Sequence, residues 1–372
     1  MAGLLLTAAA PAVHAAYNSH AESDSELFFA TYPHLLGTRI DGCDVCHVRM
    51  VGLPPGADEG PAVPLSSCDS CHLITDHGHR PGDTLTAFGR DYLEAGRDAA
   101  ALSVIGARDS DGDGHANATE LAAATDPGDP GSTPEAKPAP RAVVSLEGLR
   151  AAGVPAHEQT IFVNVSKSRE GDSYSTVRGF RLIDVLAAAG MSASATSIDV
   201  ISLDGYQATF SIEQLRRSYP QAVPVLGLDK ETLGECGWVR YGAGNLAPDE
   251  PLADADVLLT FVINGDRYDP AMLAEGGRLR GSGPFRVVAP QMKSPGIPDL
   301  SSRADPACLA QVPPRHHYHR DYEKNSDYCV KAVVAIRVNP LPPGTMDVHW
   351  PRHAAAAIED ESIIVFGALQ DP

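Results

Sequence analysis

Two short clusters carry the residue types best suited to chemistry: Cys43, Cys46 and His47 in one Cys-Asp-Val-Cys-His run, and Cys68, Cys71 and His72 in a Cys-Asp-Ser-Cys-His run. Two thiols separated by two residues can bond covalently to the two vinyl groups of one porphyrin, and the histidine that follows reaches the iron from the proximal face. The pattern predicts two c-type haems. A four-cysteine zinc site is the competing reading, because the residues 47–67 put 21 positions between the pairs, slightly beyond the roughly 15–20 of many zinc sites. Histidine supplies only 14 of 372 residues, so one after both pairs arises by chance on the order of once in a thousand chains. That favours haem.

Each iron has a distal face to fill, and the ligand there is the main lever on its potential. Met50 is the only methionine in 16–126 and stands three residues past His47, poorly placed to wrap round to the distal side. Histidines are more plentiful. His20 and His79 are the first choices as distal ligands, with His34 and His77 behind them; for each, a solvated surface side chain is the alternative role.

A second chemistry is written into residues 109–120. Asp109, Asp111, Asp113, Asn117 and Glu120 place oxygen donors at loop positions one, three, five, nine and twelve, Gly114 supplies the sharp turn at six, and His115 offers its backbone carbonyl at seven. This is the pattern of an EF-hand-type calcium loop. Ala116, at position eight, is smaller than the branched residue that joins two such loops, so a solitary loop is expected. An acidic, solvated turn is the alternative.

The surrounding sequence suggests how these motifs are positioned. Residues 1–15 have an apolar stretch around Leu4, Leu5 and Leu6 and end in Val13, His14 and Ala15, which reads as a secretory signal cut before Ala16. A periplasmic or extracellular location follows from it, in keeping with haem attachment outside the bacterial cytoplasm. Residues 16–126 read as a small, mainly α domain with helices near 26–32, 88–95 and 98–107, its core formed by haem and not by apolar side chains. A proline-rich linker at 127–142 follows. Strand patterns then take over at 160–165, 197–203, 208–212, 258–263, 285–288, 332–338 and 362–366, with hairpin turns at Asp204-Gly205 and Asn264-Gly265 and a helix at 182–189. Residues 143–372 are therefore expected to form a strand-rich α+β domain.

Gly179, Leu182, Asp184 and Leu186, then the stretches 198–202, 204–206 and 258–265 and the run Gly283-Pro284-Phe285-Arg286-Val287-Val288, resemble in order segments of the sulfite-oxidase-like molybdopterin-binding fold. In that family a cysteine upstream of the helix ligates molybdenum. Residues 163–169 contain none, and Cys236 follows the helix, so the resemblance implies the scaffold without its metal. Over 18–370 the chain more closely resembles the dihaem c-type cytochromes named for a Gly-Glu-Gly-Pro (GEGP) motif, in which a pair of Cys-x-x-Cys-His sites precedes such a domain. Here the naming motif reads Gly281, Ser282, Gly283 and Pro284. The resemblance implies a multidomain chain: a dihaem cytochrome c domain, then a sulfite-oxidase-like α+β domain.

The 48 acidic against 29 basic side chains give a net charge of -19, which argues against nucleic-acid binding and suits a basic redox partner. No long apolar run beyond residue 15 predicts a membrane span. Cys308 and Cys329 are plausible disulfide partners in an oxidising compartment, leaving Cys236 over. The expected function is single-electron transfer by two haems outside the cytoplasm. The alternative is a haem-containing oxidoreductase with a catalytic centre in the C-terminal domain, against which stand the missing cysteine and the lack of a nucleophile–base arrangement.

Overall fold

The computed structural model describes residues 23–41, 45, 85–163, 173–221, 227–228, 238–239, 252–274, 279–293 and 325–370. At its N-terminal end, helices form where capping side chains meet apolar spacing. They are α1 (Ser23–Thr31), α2 (Ala87–Glu94), α3 (Ala99–Ile105) and α4 (Asn117–Ala123). The Thr86 hydroxyl accepts from Gly89 N at 3.0 Å to start α2, and the Asp98 carboxylate accepts from Ala101 N at 2.7 Å to start α3. Leu102 and Ile105 lie on one buried face of α3, as their spacing predicts, and pack in a cluster with Phe28, Leu35, Ile40, Val45, Phe88, Tyr92 and Leu121. This unit has an apolar core of its own, a contribution that reading prosthetic groups as the core undervalued.

The proline-rich stretch is fastened along its length. Asp126 N and Arg39 Nη2 both donate to the buried Ser132 hydroxyl, at 2.8 and 3.0 Å, and Gly128 packs so closely on Thr86 that a Cβ would lie 2.8 Å from Thr86 Cβ. Lys137 and Pro138 then pair in parallel with Thr345 and Met346. Proline denies donors to a longer ladder, so the pairing stays two residues long.

Two sheets follow. One orders β1 (Arg141–Ser145), β10 (Ser362–Gly367), β9 (Val333–Asn339), β4 (Ser197–Ser202) and β5 (Gln207–Ser211), with β9 and β10 parallel and the other neighbours antiparallel. The other is antiparallel and runs from β2 (Ala156–Val163) through β3 (Ser173–Arg181) to β6 (Leu258–Ile263), whose far edge is shared by β7 (Asp266–Arg267) and β8 (Arg286–Val288). Asn264 and Gly265 make the tight turn between β6 and β7 with positive φ at both, as the sequence predicts. Neither sheet closes into a barrel. A single apolar cluster joins both sheets to α5 (Leu146–Ala151), α6 (Leu182–Ala188) and α7 (Ile212–Arg216), with Phe180, Phe210, Phe285 and Val365 fully buried in it. The mixed α+β reading of this region thus matches the elements described, while any kinship to a molybdopterin fold is outside what they establish.

Strand β3 is absent from the sequence reading, for a clear reason. Both of its faces are covered, Val177 packing with Ile161 and Leu258 while Phe180 packs in the main cluster, so the buried Tyr174, Val177 and Phe180 do not alternate. Only glycine fits at 179, since a Cβ there would lie 2.3 Å from the Leu259 carbonyl oxygen. The Gly281-Ser282-Gly283-Pro284 turn is also a packing device. Ser282 N and Gly283 N both donate to the Asp269 carbonyl, at 3.0 and 2.8 Å, and a Cβ on Gly281 would lie 2.2 Å from the Pro270 oxygen.

Just before α8 (Pro351–Glu359), the half-buried His349 lies beside Thr38 and Arg39 of the helical unit. Burial, helped by the charges of Arg352, His353 and Arg39, pushes its imidazole down to about 4. The unfolded chain therefore takes up this proton first. His349 contributes stability that is complete above the ordinary histidine value near 6.5 and is lost as pH falls towards 4. Solvent access keeps the effect below that of a fully buried group. In thermal melts at pH 7 and pH 5, His349→Gln is expected to show a smaller drop than the native protein; equal drops would rule the imidazole out as a contributor.

Candidate metal centre

The 109–120 loop is carried between two short helices. Helix α3 ends at Ile105, and α4 begins at Asn117, with Asn117 N donating to the Arg108 carbonyl at 2.7 Å and Ala118 N to that of Gly106 at 2.9 Å. Within the loop, Asp109 Oδ1 accepts from Gly112 N at 2.8 Å and its Oδ2 from Gly114 N at 2.9 Å, while Asp113 Oδ1 accepts from His115 N at 2.7 Å. Gly112 and Gly114 have φ of +80° and +99°, which lets the chain curl around the carboxylates. Asp109, Asp111 and Asp113 each offer an oxygen, and these lie within 4.8 Å of one another.

Glu120, in the first turn of α4, lies within electrostatic reach of these aspartates. It is fully buried, and neither carboxylate oxygen has a hydrogen-bond partner; the buried Oδ2 atoms of Asp111 and Asp113 have none either. Burial, then the charges of Asp111, Asp113, Asp126 and Asp109, pushes Glu120 up to about 9. Burial, reinforced by Asp113, Asp109 and Asp129 against a backbone hydrogen bond from Asp113, pushes Asp111 up to about 6. A buried carboxylate without a partner is among the costliest arrangements in a protein unless a cation meets it. Arg108, the residue just before the loop, is directed elsewhere, its Nη1 donating to Asp91 Oδ1 at 2.7 Å.

One residue of the sequence-predicted set plays another part. Asn117 is fully buried, and its amide braces the loop. Its Nδ2 donates to the Ile105 carbonyl and to Ser110 Oγ, both at 2.8 Å, while its Oδ1 accepts from Ser110 N at 3.1 Å. Ser110 Oγ in turn donates to Asp91 Oδ2 at 2.6 Å, tying the loop to α2. The His115 side chain points to the 126–140 stretch, with Nε2 3.2 Å from Glu135 Oε2. Neither the brace nor the burial of Glu120 is readable from ligand spacing.

The haem-attachment residues Cys43, Cys46, His47, Cys68, Cys71 and His72 lie outside the described residues, as do His20, His77 and His79. Val45, inside the first motif, is described. It is 2% exposed in the helical cluster, and its carbonyl accepts from Thr86 Oγ1 at 2.9 Å. His34 is exposed, with Nε2 3.1 Å from the Leu121 carbonyl of α4, which leaves Nδ1 as its other nitrogen. Cys329 is a free, buried thiol, 3.4 Å from the Asn325 carbonyl, and burial pushes its pKa up, so it does not fulfil the disulfide expectation; Cys236 and Cys308 lie outside the described residues. No helix among the described residues is long and apolar enough to cross a membrane. No family model, curated protein or solved structure matches the chain.

Proposed function

We propose that this chain is a dihaem c-type cytochrome that transfers single electrons outside the cytoplasm. The observation that carries this is the pair of complete Cys-x-x-Cys-His motifs. The anchoring of Val45 supports it: a peptide between two attachment cysteines is pinned into an apolar core by its side chain and held through its carbonyl by the Thr86 hydroxyl. A thioether-linked porphyrin needs a fixed backbone to present both thiols and the proximal imidazole together. Cys43, Cys46 and His47 would hold one haem and Cys68, Cys71 and His72 the other. His20, His79, His34 and His77 are the candidates for the distal faces. The haems, once attached, supply the redox chemistry.

The excess of acidic side chains, 48 against 29 basic, suits docking to a basic redox partner, an attraction that salt weakens. The α+β region, which resembles a molybdopterin scaffold without the metal-ligating cysteine, acts in this reading as a platform and not as a catalytic centre. The exported protein is expected to contain two haems per chain by pyridine haemochrome assay and to keep them through denaturing electrophoresis. Zinc without covalent haem would refute the proposal.

A further inference from the structure

We propose that the 109–120 loop binds one calcium ion, with carboxylate oxygens of Asp109, Asp111, Asp113 and Glu120 and the His115 carbonyl as ligands, and with Asn117 as the brace of the loop.

Two independent observations meet here. The first is the grouping of three aspartate carboxylates within 4.8 Å, curled inward by backbone donors to Asp109 and Asp113. The second is Glu120, fully buried with both oxygens unpartnered and close enough to feel the charges of Asp111, Asp113 and Asp109. A solvated acidic turn would turn this side chain out to water. Here it is turned in, towards carboxylates of its own sign, an arrangement that a bound cation makes favourable.

The donors also select the ion. All are oxygens, and among the described residues no imidazole or thiolate joins the cluster, which disfavours zinc and copper. A twelfth-position glutamate with two free oxygens can bind bidentately, which suits the large, adaptable shell of calcium better than the strict octahedron of magnesium. The commitment of Asn117 to Ile105 and Ser110 is compatible with this, because the ninth-position group of such loops often reaches the ion through water.

The ion would also act on what lies around it. Helix α4 accepts Arg39 Nε on the Ala124 carbonyl at 2.7 Å and is met by His34 at Leu121, and residues 34–41 lead into the first attachment motif. Closing α4 onto the loop therefore stiffens the approach to that motif.

The test uses the full-length protein, stripped with chelator, then titrated calorimetrically with calcium chloride or magnesium chloride and melted with and without each. One calcium site per chain is expected, with a melting temperature raised by calcium and much less by magnesium. Glu120→Gln is expected to weaken calcium binding at least tenfold and remove the calcium response, while melting higher than the native protein when both are stripped, since it removes a buried carboxylate. Asp113→Asn should also weaken binding. Absence of a calcium site in the native protein, an equal response to magnesium, or undiminished binding by Glu120→Gln would each overturn the proposal. Haem content is read separately, so calcium binding by a haem-free protein would uphold this site and refute only the electron-transfer reading.

Discussion

Replacing Cys43 and Cys46 together by alanine is expected to lower haem content from two per chain to one, with the helical unit still folded. Alanine cannot form the thioether bonds, so the first haem has no covalent hold. The unit survives because Val45 stays in place among Phe28, Phe88, Leu102 and Ile105, apolar side chains that neither substitution alters. Cys68→Ala with Cys71→Ala should remove the other haem. Pyridine haemochrome assay counts the haems, and far-ultraviolet circular dichroism checks the helices. If either double variant kept two covalent haems, the assignment of that motif would fail.

Thr86→Val is expected to destabilise the protein by about 2–4 kcal/mol and to lower the haem loading of the first motif. The shape is nearly kept, but three roles of one hydroxyl group vanish or change. It no longer accepts from Gly89 N at the start of α2, it no longer donates to the Val45 carbonyl, and methyl replaces oxygen beneath Gly128. A lost cap costs about 1 kcal/mol, and a buried carbonyl left without its donor adds roughly 1–3. Denaturant unfolding measures the loss. Thr86→Ser keeps the hydroxyl and should recover most of the stability; a serine variant as weak as the valine one would show that packing, not hydrogen bonding, is what Thr86 supplies.

What could be read in advance follows from how local each signal is. The Asn264-Gly265 hairpin and the strands β4, β6, β9 and β10 follow from short, regular patterns and lie close to where those patterns put them. Strand β3 escapes because it is covered on both faces, so its buried residues do not alternate with exposed ones. Helix α8 escapes for another reason: the stripe it buries is mostly alanine, with Ala354 and Ala357 in the core, which reads weakly in sequence, and Pro351 at its start looks like an interruption although it is a favoured first residue. The acidic loop is legible because its carboxylates are fixed by spacing in one short run. The burial of Glu120 and the diversion of Asn117 depend on α2 and α3, which spacing cannot see. Distal haem ligands are set by tertiary approach, so His20, His79, His34 and His77 remain candidates, and His34 alone of them is among the described residues, with one nitrogen at the Leu121 carbonyl.

The carboxylate of Asp91 takes Arg108 and Ser110 from the loop on one side, and the helix that bears it begins at the threonine holding Val45. Thr86 and Asp91 are five residues apart, about 7.5 Å of helix, and Phe88 and Tyr92 pin this stretch into the core, so it forms a short, stiff rod between the two places. A load placed on one end is felt at the other. With ion and haem both bound, the midpoint potential of the first haem and the dissociation constant of the ion become two readings of one coupling energy. Whatever factor the ion imposes on reduction, reduction must return to the ion.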